Sequence, residues 1–523
     1  MLRSITRWMG AVALLGLLAG LAGVAGASWQ PAQRISAALE SDRDVLSSQI
    51  APDGSAVVYT ADAQFAGRRA LYSVPLRGGL GTQLSPAPVV GGSIYQYAIT
   101  PDSQRAVYLG KVTATDKART YSIGLNGVGS TQIDDGLAGS PVAMTLAGSD
   151  RVVLLVQTAP SVLELYSARV DGVGAPVRLN QQLPAGGSVG EYAVSPDGQW
   201  VVFMADGEVD DTVELYSARS DGSSLKALHG PGVAGGDVTG FDIGQDSQRV
   251  AFTGDLIVDE RFDVYSRPID GGGLPAVVYT NSTNDASRPL VSPDGATVAY
   301  VATDPSYGQL LQFSPILGGE AKLSSWKYGS NPDAHIYTFE FSPDSRHLVF
   351  ISDTATPGSR SALSDDITAD TKAYSLRGGN TLDFKIAPDS RSVVLRSVDK
   401  DLAIALINHD YASDPLTYLP DGRAVEQYEI APQGDYVLYR ADRNADDAVE
   451  LFAVPARLGV EPSSDTVKIN GMFATYNDVT VFQISSLGDV VYRADSVDGD
   501  EKFELYRRIN LHDLFVTTIV KGE

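Results

Sequence analysis

The segment Ser195-Pro196-Asp197-Gly198 lies between two short apolar stretches, residues 191–195 and 199–205, and turns of the same kind recur along the chain. Proline presets φ at the second turn position, aspartate bonds back to the local backbone, and glycine accepts a positive φ. Two apolar stretches joined by such a turn predict an antiparallel β-hairpin. The turn therefore marks where one strand ends and the next begins.

The turn is repeated about ten times, which indicates a repeat architecture. Clear copies begin at Ala51, Thr100, Ser195, Ser292, Ser342 and Ala387, degenerate copies at Gly244, Ala431 and Ser486, and a faint copy lies near Ala147. The Asp-equivalent positions are separated by 44 residues (389 to 433) at the least and by 54 residues (433 to 487) at the most. This spacing predicts one array of copied units over residues 45–523.

An aromatic residue gives a second fixed point in each unit. Nineteen residues separate Asp53 from Tyr72, and six further units keep this offset. A glycine turn and a fourth short stretch follow, so each unit is predicted to be a four-stranded antiparallel sheet. Adjacent apolar residues such as Val201-Val202-Phe203 indicate a sheet covered on both faces, as the blades of a β-propeller are.

The S-P-D-G turn and the E-L-Y strand resemble the TolB-like, WD40-like repeats called PD40, over nearly all of the chain after its N-terminal segment. The resemblance implies an all-β fold, a β-propeller of about ten four-stranded antiparallel blades. Members of this family include the translocation scaffold TolB and the propellers that gate prolyl-oligopeptidase-like peptidases, so the motif is specific for fold and not for function. We expect neither the N-terminal domain of TolB-type proteins nor a C-terminal hydrolase domain.

Closure of the array has two open alternatives. Residues 28–44 form a lead-in whose residues 32–36 resemble a fourth strand and could complete the last blade, yet residues 515–520 also look like a fourth strand. Ten units could form one wide ring or two smaller propellers. No linker or change of composition divides the array, which favours a single ring.

The N-terminus has the pattern of an export signal. Arg3 and Arg7 precede an uncharged apolar run from Met9 to Val24, and Ala25-Gly26-Ala27 supplies small residues for cleavage. We predict a signal peptide over residues 1–27 and a secreted, periplasmic or cell-surface protein. The alternative is an uncleaved membrane anchor, because the run approaches the length of a span. No second apolar stretch is long enough to cross a membrane.

The composition excludes several classes of site and partner. The chain has no cysteine, so disulfides, zinc–thiolate sites, iron–sulfur clusters and thiol nucleophiles are excluded. Its net charge of −24 repels phosphate backbones, so nucleic acid is not expected as a partner. The same charge favours solubility and cationic partners.

Catalytic motifs are weak, and we predict no catalytic residue. Residues 186–190 match G-x-S-x-G around Ser188, but that motif needs a strand-to-helix turn and no helix is expected there. The five histidines occur in different units without paired spacing. They are His229, His335, His347, His409 and His512.

The loops between second and third strands are acidic in several units, which makes them the candidate metal sites. The candidate calcium ligands are Asp206, Asp210, Glu214, Asp442, Asp446, Glu450, Asp495, Asp498 and Glu504. Grouped carboxylates suit Ca²⁺, but no loop has the D-x-D-x-D-G spacing. The alternative is that the aspartates cap turns and the charges are solvated. Because all these loops leave the same end of their blades, one rim should be negative and attract basic partners.

Three functions are compatible with the sequence. The first is an exported, non-enzymatic binding or scaffold protein that uses a propeller rim or channel to hold a protein or small ligand. The second is a propeller hydrolase or lyase that acts on peptide or sugar at the channel mouth. The third is a Ca²⁺-stabilised surface module. Export, architecture and the missing catalytic constellation favour the first.

Overall fold

The computed structural model describes residues 32–40, 42–113, 117–230, 232–324, 332–354, 356, 358–369, 373–377, 380–399, 401–410, 413–420, 422–444, 448–470, 478–495, 502–508 and 511. Ten four-stranded antiparallel sheets fill these ranges, which confirms the expected propeller architecture. The predicted signal peptide, residues 1–27, and the candidate strand at 515–520 lie outside the described residues. In the described part of the chain, no helix has the length and apolar character needed to span a bilayer.

The strands follow the chain in order. After the first strand, each set of four consecutive strands is one blade, except that the last three strands form blade 10 together with the first. They are β1 (Gln33–Arg34); blade 1, β2 (Val45–Ile50), β3 (Ala56–Ala61), β4 (Ala70–Pro75), β5 (Thr82–Gln83); blade 2, β6 (Ile94–Ile99), β7 (Arg105–Gly110), β8 (Arg119–Gly124), β9 (Thr131–Gln132); blade 3, β10 (Ser140–Ala147), β11 (Arg151–Ala159), β12 (Val162–Arg169), β13 (Val177–Arg178); blade 4, β14 (Val189–Val194), β15 (Trp200–Ala205), β16 (Glu214–Arg219), β17 (Leu225–Ala227); blade 5, β18 (Val238–Ile243), β19 (Arg249–Gly254), β20 (Asp263–Pro268), β21 (Ala276–Tyr279).

The second half of the ring continues in the same way, with one short helix. Its elements are blade 6, β22 (Asp285–Val291), β23 (Thr297–Asp304), β24 (Gly308–Pro315), β25 (Lys322–Leu323); blade 7, β26 (Ile336–Phe341), β27 (His347–Ser352), β28 (Ser361–Asp366), β29 (Tyr374–Arg377); blade 8, β30 (Thr381–Ile386), β31 (Ser392–Ser397), β32 (Leu402–Leu406), β33 (Ser413–Pro415); blade 9, β34 (Val425–Ile430), β35 (Tyr436–Ala441), β36 (Glu450–Pro455), α1 (Pro462–Asp465), β37 (Val467–Lys468); and blade 10, β38 (Val479–Ile484), β39 (Val490–Asp495), β40 (Phe503–Arg508).

The tight turns form as the sequence predicts. In blade 4, the Ser195 hydroxyl donates to Asp197 Oδ1 at 2.6 Å, and the Gln199 N–H donates to the same oxygen at 2.9 Å. Gly198 follows with φ of 71°, a left-handed conformation that glycine adopts without strain. One carboxylate thus closes the hairpin that joins the first and second strands.

The fixed aromatic offset has a packing cause. The second-strand residue Phe203 lies directly opposite Tyr216 in the third strand, and their rings stack with centroids 5.5 Å apart. Similar stacked pairs occur in other blades, for example Tyr59 with Tyr72 and Tyr492 with Tyr506. A changed offset would move the third-strand ring out of this register, and a shift of one residue would turn it to the other face of the sheet.

One apolar cluster lies at each interface between successive blades, and these clusters form the core. The cluster between blades 10 and 1 joins Val491 and Leu505 to Val45 and Val57. Because the last blade packs on the first in the same way as all other neighbours, the ten blades form one closed ring.

The N-terminal strand completes the last blade. Strand β1 pairs antiparallel with β40, with Gln33 opposite Arg507 and Arg34 opposite Tyr506, so blade 10 has the order β1-β40-β39-β38. Residues from the two ends of the described chain thus share one sheet, and this pairing closes the ring.

Candidate functional site

The two ends of the ring carry different kinds of connection. Tight turns join first to second strands at one end, where the segments between third and fourth strands, such as residues 76–81 and 170–176, also lie. At the other end, eight-residue loops join second to third strands in blades 1, 4 and 5 at residues 62–69, 206–213 and 255–262. These loops share that end with the segments that connect one blade to the next, and together we call them the loop rim. Functional surfaces are commonly built from loops held on a rigid scaffold.

In blades 1, 4, 5, 7 and 9 an aspartate follows the second strand, and it binds a backbone N–H at the start of the first strand. Asp206 Oδ1 accepts the Ser188 N–H at 2.9 Å, and Asp442 Oδ1 accepts the Ala424 N–H at 3.2 Å. Equivalent bonds join Asp44 N to Asp62 and His335 N to Asp353, both at 2.7 Å. Each bond fastens the loop to the start of the first strand of its own blade.

Glu214, which precedes the Leu-Tyr pair of blade 4, holds the loop 206–213 through hydrogen bonds to its backbone. Its side chain is buried, and Oε2 accepts the N–H groups of Gly207 at 2.8 Å and Glu208 at 2.9 Å and the Tyr216 hydroxyl at 2.8 Å. Burial, together with this hydrogen bond, raises the pKa of Tyr216, so the phenol stays protonated. In blade 4 the glutamate of the Glu-Leu-Tyr motif is therefore explained by the structure of its loop.

The other candidate calcium ligands are placed differently from one another. Glu504 is buried and accepts from Arg34 Nη1 at 3.2 Å and from the Leu39 N–H at 3.3 Å. Glu450 accepts from Lys468 and, at 2.7 Å, from Asn444 Nδ2.

Asp495 is buried at the end of β39. Asp210 is exposed and its carboxylate lies over Gly186, while Asp446 and Asp498 lie outside the described residues. Across the described ranges no three histidine or carboxylate side chains are grouped to hold a metal ion, so calcium binding stays a prediction.

Ser188 of the G-x-S-x-G motif links blade 3 to blade 4 through hydrogen bonds. Its hydroxyl accepts the Leu163 N–H of blade 3 at 3.0 Å, and its own N–H donates to Asp206. Strand β14 follows immediately, and the strand-to-helix turn of a nucleophile elbow is absent from this described segment.

The described histidines make contacts with nearby backbone and side-chain atoms. His229 Nδ1 lies 3.1 Å from Leu215 O, and His409 Nδ1 lies 3.0 Å from Ile407 O. His347 lies beside Asp344 at a tight turn, whereas His335 is on the loop rim. His512 lies outside the described residues.

A polar cluster on the channel wall was missed by sequence reasoning. The first strands of neighbouring blades contact one another and line the channel. In blades 8 and 9 the Tyr428 hydroxyl donates to Asp383 Oδ1 at 2.8 Å, and Arg396 Nε donates to Asp383 Oδ2 at 3.0 Å. Lys385 Nζ lies 2.9 Å from both carboxylate oxygens of Glu429. Lys385 and Glu429 each lie two residues before a turn, a shared offset that could have signalled the pair.

The members of this cluster satisfy one another. Burial raises the pKa of Tyr428, and the negative charge of Asp383 raises it further, so the phenol is a weak acid that stays protonated in this position. Arg396 also donates to the backbone oxygens of Val425 at 3.2 Å and Glu426 at 3.0 Å. The cluster thus joins blade 8 to blade 9 at the channel wall.

A cavity of about 350 Å³ opens on the channel side of blades 9, 10 and 1. Its lining is Gln49, Ile50, Glu429, Ile430, Pro432, Phe482, Gln483 and Ile484. The Gln483 carboxamide accepts the Ile50 N–H at 3.1 Å and donates to Ser48 O at 2.5 Å, which fastens blade 10 to blade 1 beside the cavity. The lining combines apolar side chains with carboxamide and carboxylate groups.

Comparison with known proteins extends only to the fold. No protein-family model and no curated protein matches the chain. Among solved structures, 1197 chains match. A prolyl endopeptidase matches at 14% identity and a TM-score of 0.36, over 68% of this chain and 53% of that one, so this chain spans about half the length of that peptidase.

Two further solved structures are similar in the same limited way. A eukaryotic initiation factor matches at 10% identity and a TM-score of 0.46, over 77% of this chain and 94% of that one. A structure described as TolB from Agrobacterium tumefaciens matches at 17% identity and a TM-score of 0.27, over 48% of this chain and 87% of that one. Identities and TM-scores this low carry no function with them.

Proposed function

We propose that the chain is an exported, non-enzymatic binding or scaffold protein that holds a protein or ligand at its loop rim or in its channel. The observation that carries the proposal is the set of eight-residue loops at one end of the ring. Their tips in blades 1, 4 and 5 expose apolar side chains, and in blades 4 and 5 exposed carboxylates surround them. Variable loops on a rigid scaffold are a common basis for recognition.

The fixed shape of the rim supports this proposal. Asp206 and Glu214 hold the loop of blade 4 through backbone hydrogen bonds, while Asp210 at its tip is exposed. A loop that is ordered before binding loses little conformational entropy when a partner docks. The apolar run at the N-terminus and the acidic composition support export and solubility.

The test uses the full chain as bait for an extract of the cell envelope, with an unrelated secreted protein of equal net charge as control. We expect a partner that is retained by the chain and not by the control, and that is released as salt screens the rim. Equal retention on both baits, or none at any salt concentration, would contradict the proposal. Export is tested separately by mass spectrometry of the secreted or periplasmic protein, which should begin at Ser28.

A propeller hydrolase or lyase is the second candidate, because Asp383, Lys385, Arg396, Tyr428 and Glu429 meet at the channel wall. Carboxylates and cations in a channel can act as acid and base when one of them reaches the substrate. Screening the purified chain against peptide and sugar substrates tests this candidate. Turnover that Glu429→Gln abolishes would favour the enzyme, and no turnover on either class would remove it.

A further inference from the structure

The loop rim of blades 4 and 5 carries an apolar surface with no partner in the described chain. Val209 at the tip of one loop is 59% exposed, and Ile257 and Val258 at the tip of the next are 48% and 45% exposed. Val209 and Val258 are each the fourth residue of their loops, 206–213 and 255–262, and Ile257 directly precedes Val258. We call the three side chains and the two loops that carry them the tip patch.

The two loops are joined into one surface by the segment that connects their blades. The Asp237 carboxylate accepts the Val213 N–H at 2.7 Å, and the Val233 N–H donates to Leu256 O at 3.1 Å. Residues 232–237 therefore touch the end of one loop and the beginning of the other. The two loops are therefore direct neighbours on the loop rim.

Both loops are held by hydrogen bonds that their own backbone N–H groups donate to buried carboxylates. Glu214 accepts two backbone N–H groups of the first loop, and Asp255 Oδ2 accepts the Glu260 N–H of the second at 2.9 Å. The aliphatic tips are therefore presented in a fixed arrangement. Apolar side chains held outward in this way favour a partner that covers them.

The charge around the aliphatic tips has one sign. The exposed acids of the two loops are Glu208, Asp210, Asp211, Asp259 and Glu260. Arg261 is the one basic residue in these loops, and its Nη2 is bound to the buried carboxylate of Asp263 at 2.9 Å. A partner that covers the aliphatic side chains must therefore bring positive charge.

Blade 1 shows within this chain what such a cover looks like. Its loop has Phe65 at the corresponding tip, 47% exposed, and the guanidinium of Arg68 lies 4.8 Å above the ring centroid. A cation of the same loop thus covers part of the apolar tip in blade 1. The tips of blades 4 and 5 have no free cation in their own loops to do so.

We infer that the tip patch docks a basic amphipathic segment of another protein, in which lysine or arginine alternates with aliphatic side chains. The aliphatic side chains of that segment cover Val209, Ile257 and Val258, and its cations face the surrounding carboxylates. This inference rests on the proposed binding function and names the partner class for one part of the rim.

The backbone of the loops supplies variants that keep the fold. Asp211 has φ of 62° and Glu260 has φ of 59°, where the loop of blade 1 has Gly67 at 70°. Replacing either acid by glycine therefore removes a charge and relieves a left-handed conformation. The test variant combines Val209→Ser, Asp211→Gly, Val258→Ser and Glu260→Gly.

A control of the same kind, with half as many substitutions, lies at the opposite end of the ring. Leu317 is 67% exposed in the turn after β24, and Glu320 is an exposed acid of the same turn. The control variant combines Leu317→Ser with Glu320→Gln. It removes an aliphatic side chain and an acid without touching the loop rim.

The experiment measures binding of a synthetic peptide of alternating lysine and leucine to the full chain, with oligolysine of equal charge as a second ligand. We expect the lysine–leucine peptide to bind more tightly than oligolysine, and the test variant to weaken that binding about tenfold, or about 1.4 kcal/mol. The control variant should change it less than twofold. Equal affinities for the test and control variants would overturn the inference.

The envelope extract separates this inference from the function on which it rests. Loss of the retained partner in the test variant alone supports the tip patch. A partner retained equally by the wild type and the test variant keeps the binding function and removes the tip patch. No retained partner removes the function itself.

Discussion

The backbone N–H of Asp197 in blade 4 donates a hydrogen bond of 3.1 Å to the hydroxyl oxygen of Ser247 in blade 5. Ser247 occupies the fourth position of its own tight turn with φ of 60°, where glycine is the usual residue. Equivalent bonds join Asp53 to Ser103, Asp294 to Ser345 and Asp344 to Ser390. Serine is thus used in a strained conformation where its hydroxyl can link two blades.

This relationship predicts different effects for two substitutions at one position. Ser247→Ala keeps the strained backbone and loses the hydrogen bond, so we expect it to lower the free energy of unfolding by about 1 kcal/mol. Ser247→Gly loses the same bond but relieves the strain, which is worth about 1–2 kcal/mol, so it should lie close to the wild type. Urea denaturation of both variants measures the difference, and an alanine variant as stable as the glycine variant would disprove the account.

Ring closure should depend on Arg34. Its guanidinium lies 3.2 Å from Glu504, whose side chain is 1% exposed, so Arg34→Ala leaves a buried carboxylate without its cation. We expect the free energy of unfolding to fall by about 3 kcal/mol at most, because Arg34 itself is 44% exposed. The exposed pair Arg169 and Asp171 is the control, and Arg169→Ala should leave the free energy of unfolding nearly unchanged because solvent screens that pair. Equal losses in the two variants would contradict a special role for the closing pair.

Asp365 should make stability depend on pH. Burial, together with the nearby negative charge of Asp366, raises its pKa from an ordinary 3.8 to about 6. The Ser324 hydroxyl, which donates to the carboxylate at 2.6 Å, offsets part of that rise. The folded state therefore holds the proton more tightly than the unfolded chain. This contribution to stability is fully present below pH 3.8 and is lost as the pH rises through about 6.

Asp365→Asn should remove that dependence. At pH 8 the variant should be more stable than the wild type by about 1–3 kcal/mol, and at pH 4 the two should be nearly equal. Thermal melts of both proteins across this range provide the measurement. A variant less stable than the wild type at pH 8 would show that the ionised carboxylate is favourable in place.

Calcium binding in the acidic loops is tested by melting the chain with added Ca²⁺ and with chelator. Bound calcium would raise the midpoint in proportion to the logarithm of its concentration above the dissociation constant. Asp210→Asn should reduce that rise if its exposed carboxylate is a ligand. An unchanged midpoint rules the prediction out.

Much of the architecture could be predicted from the sequence because the decisive interactions are local. The turn around Asp197 closes through bonds between residues two to five positions apart, and the stacking of Phe203 on Tyr216 fixes the length of the loop between them. Repetition of these short-range patterns gave four strands in each unit and about ten units. Even the weak units follow the rule, since Asp246 caps its turn without a proline before it.

Features that depend on contacts between distant parts of the chain were decided by the tertiary structure alone. The pairing of Gln33 with Arg507 closes the last blade, although residues 515–520 looked equally suitable in the sequence. The acidic loops looked alike as sequence, but their carboxylates divide into buried ones such as Glu214, which hold backbone N–H groups, and exposed ones such as Asp211. That division depends on burial and on which donor lies within reach. A local pattern specifies a turn or a strand, whereas the partners of a side chain in a ring are set by the neighbouring blades.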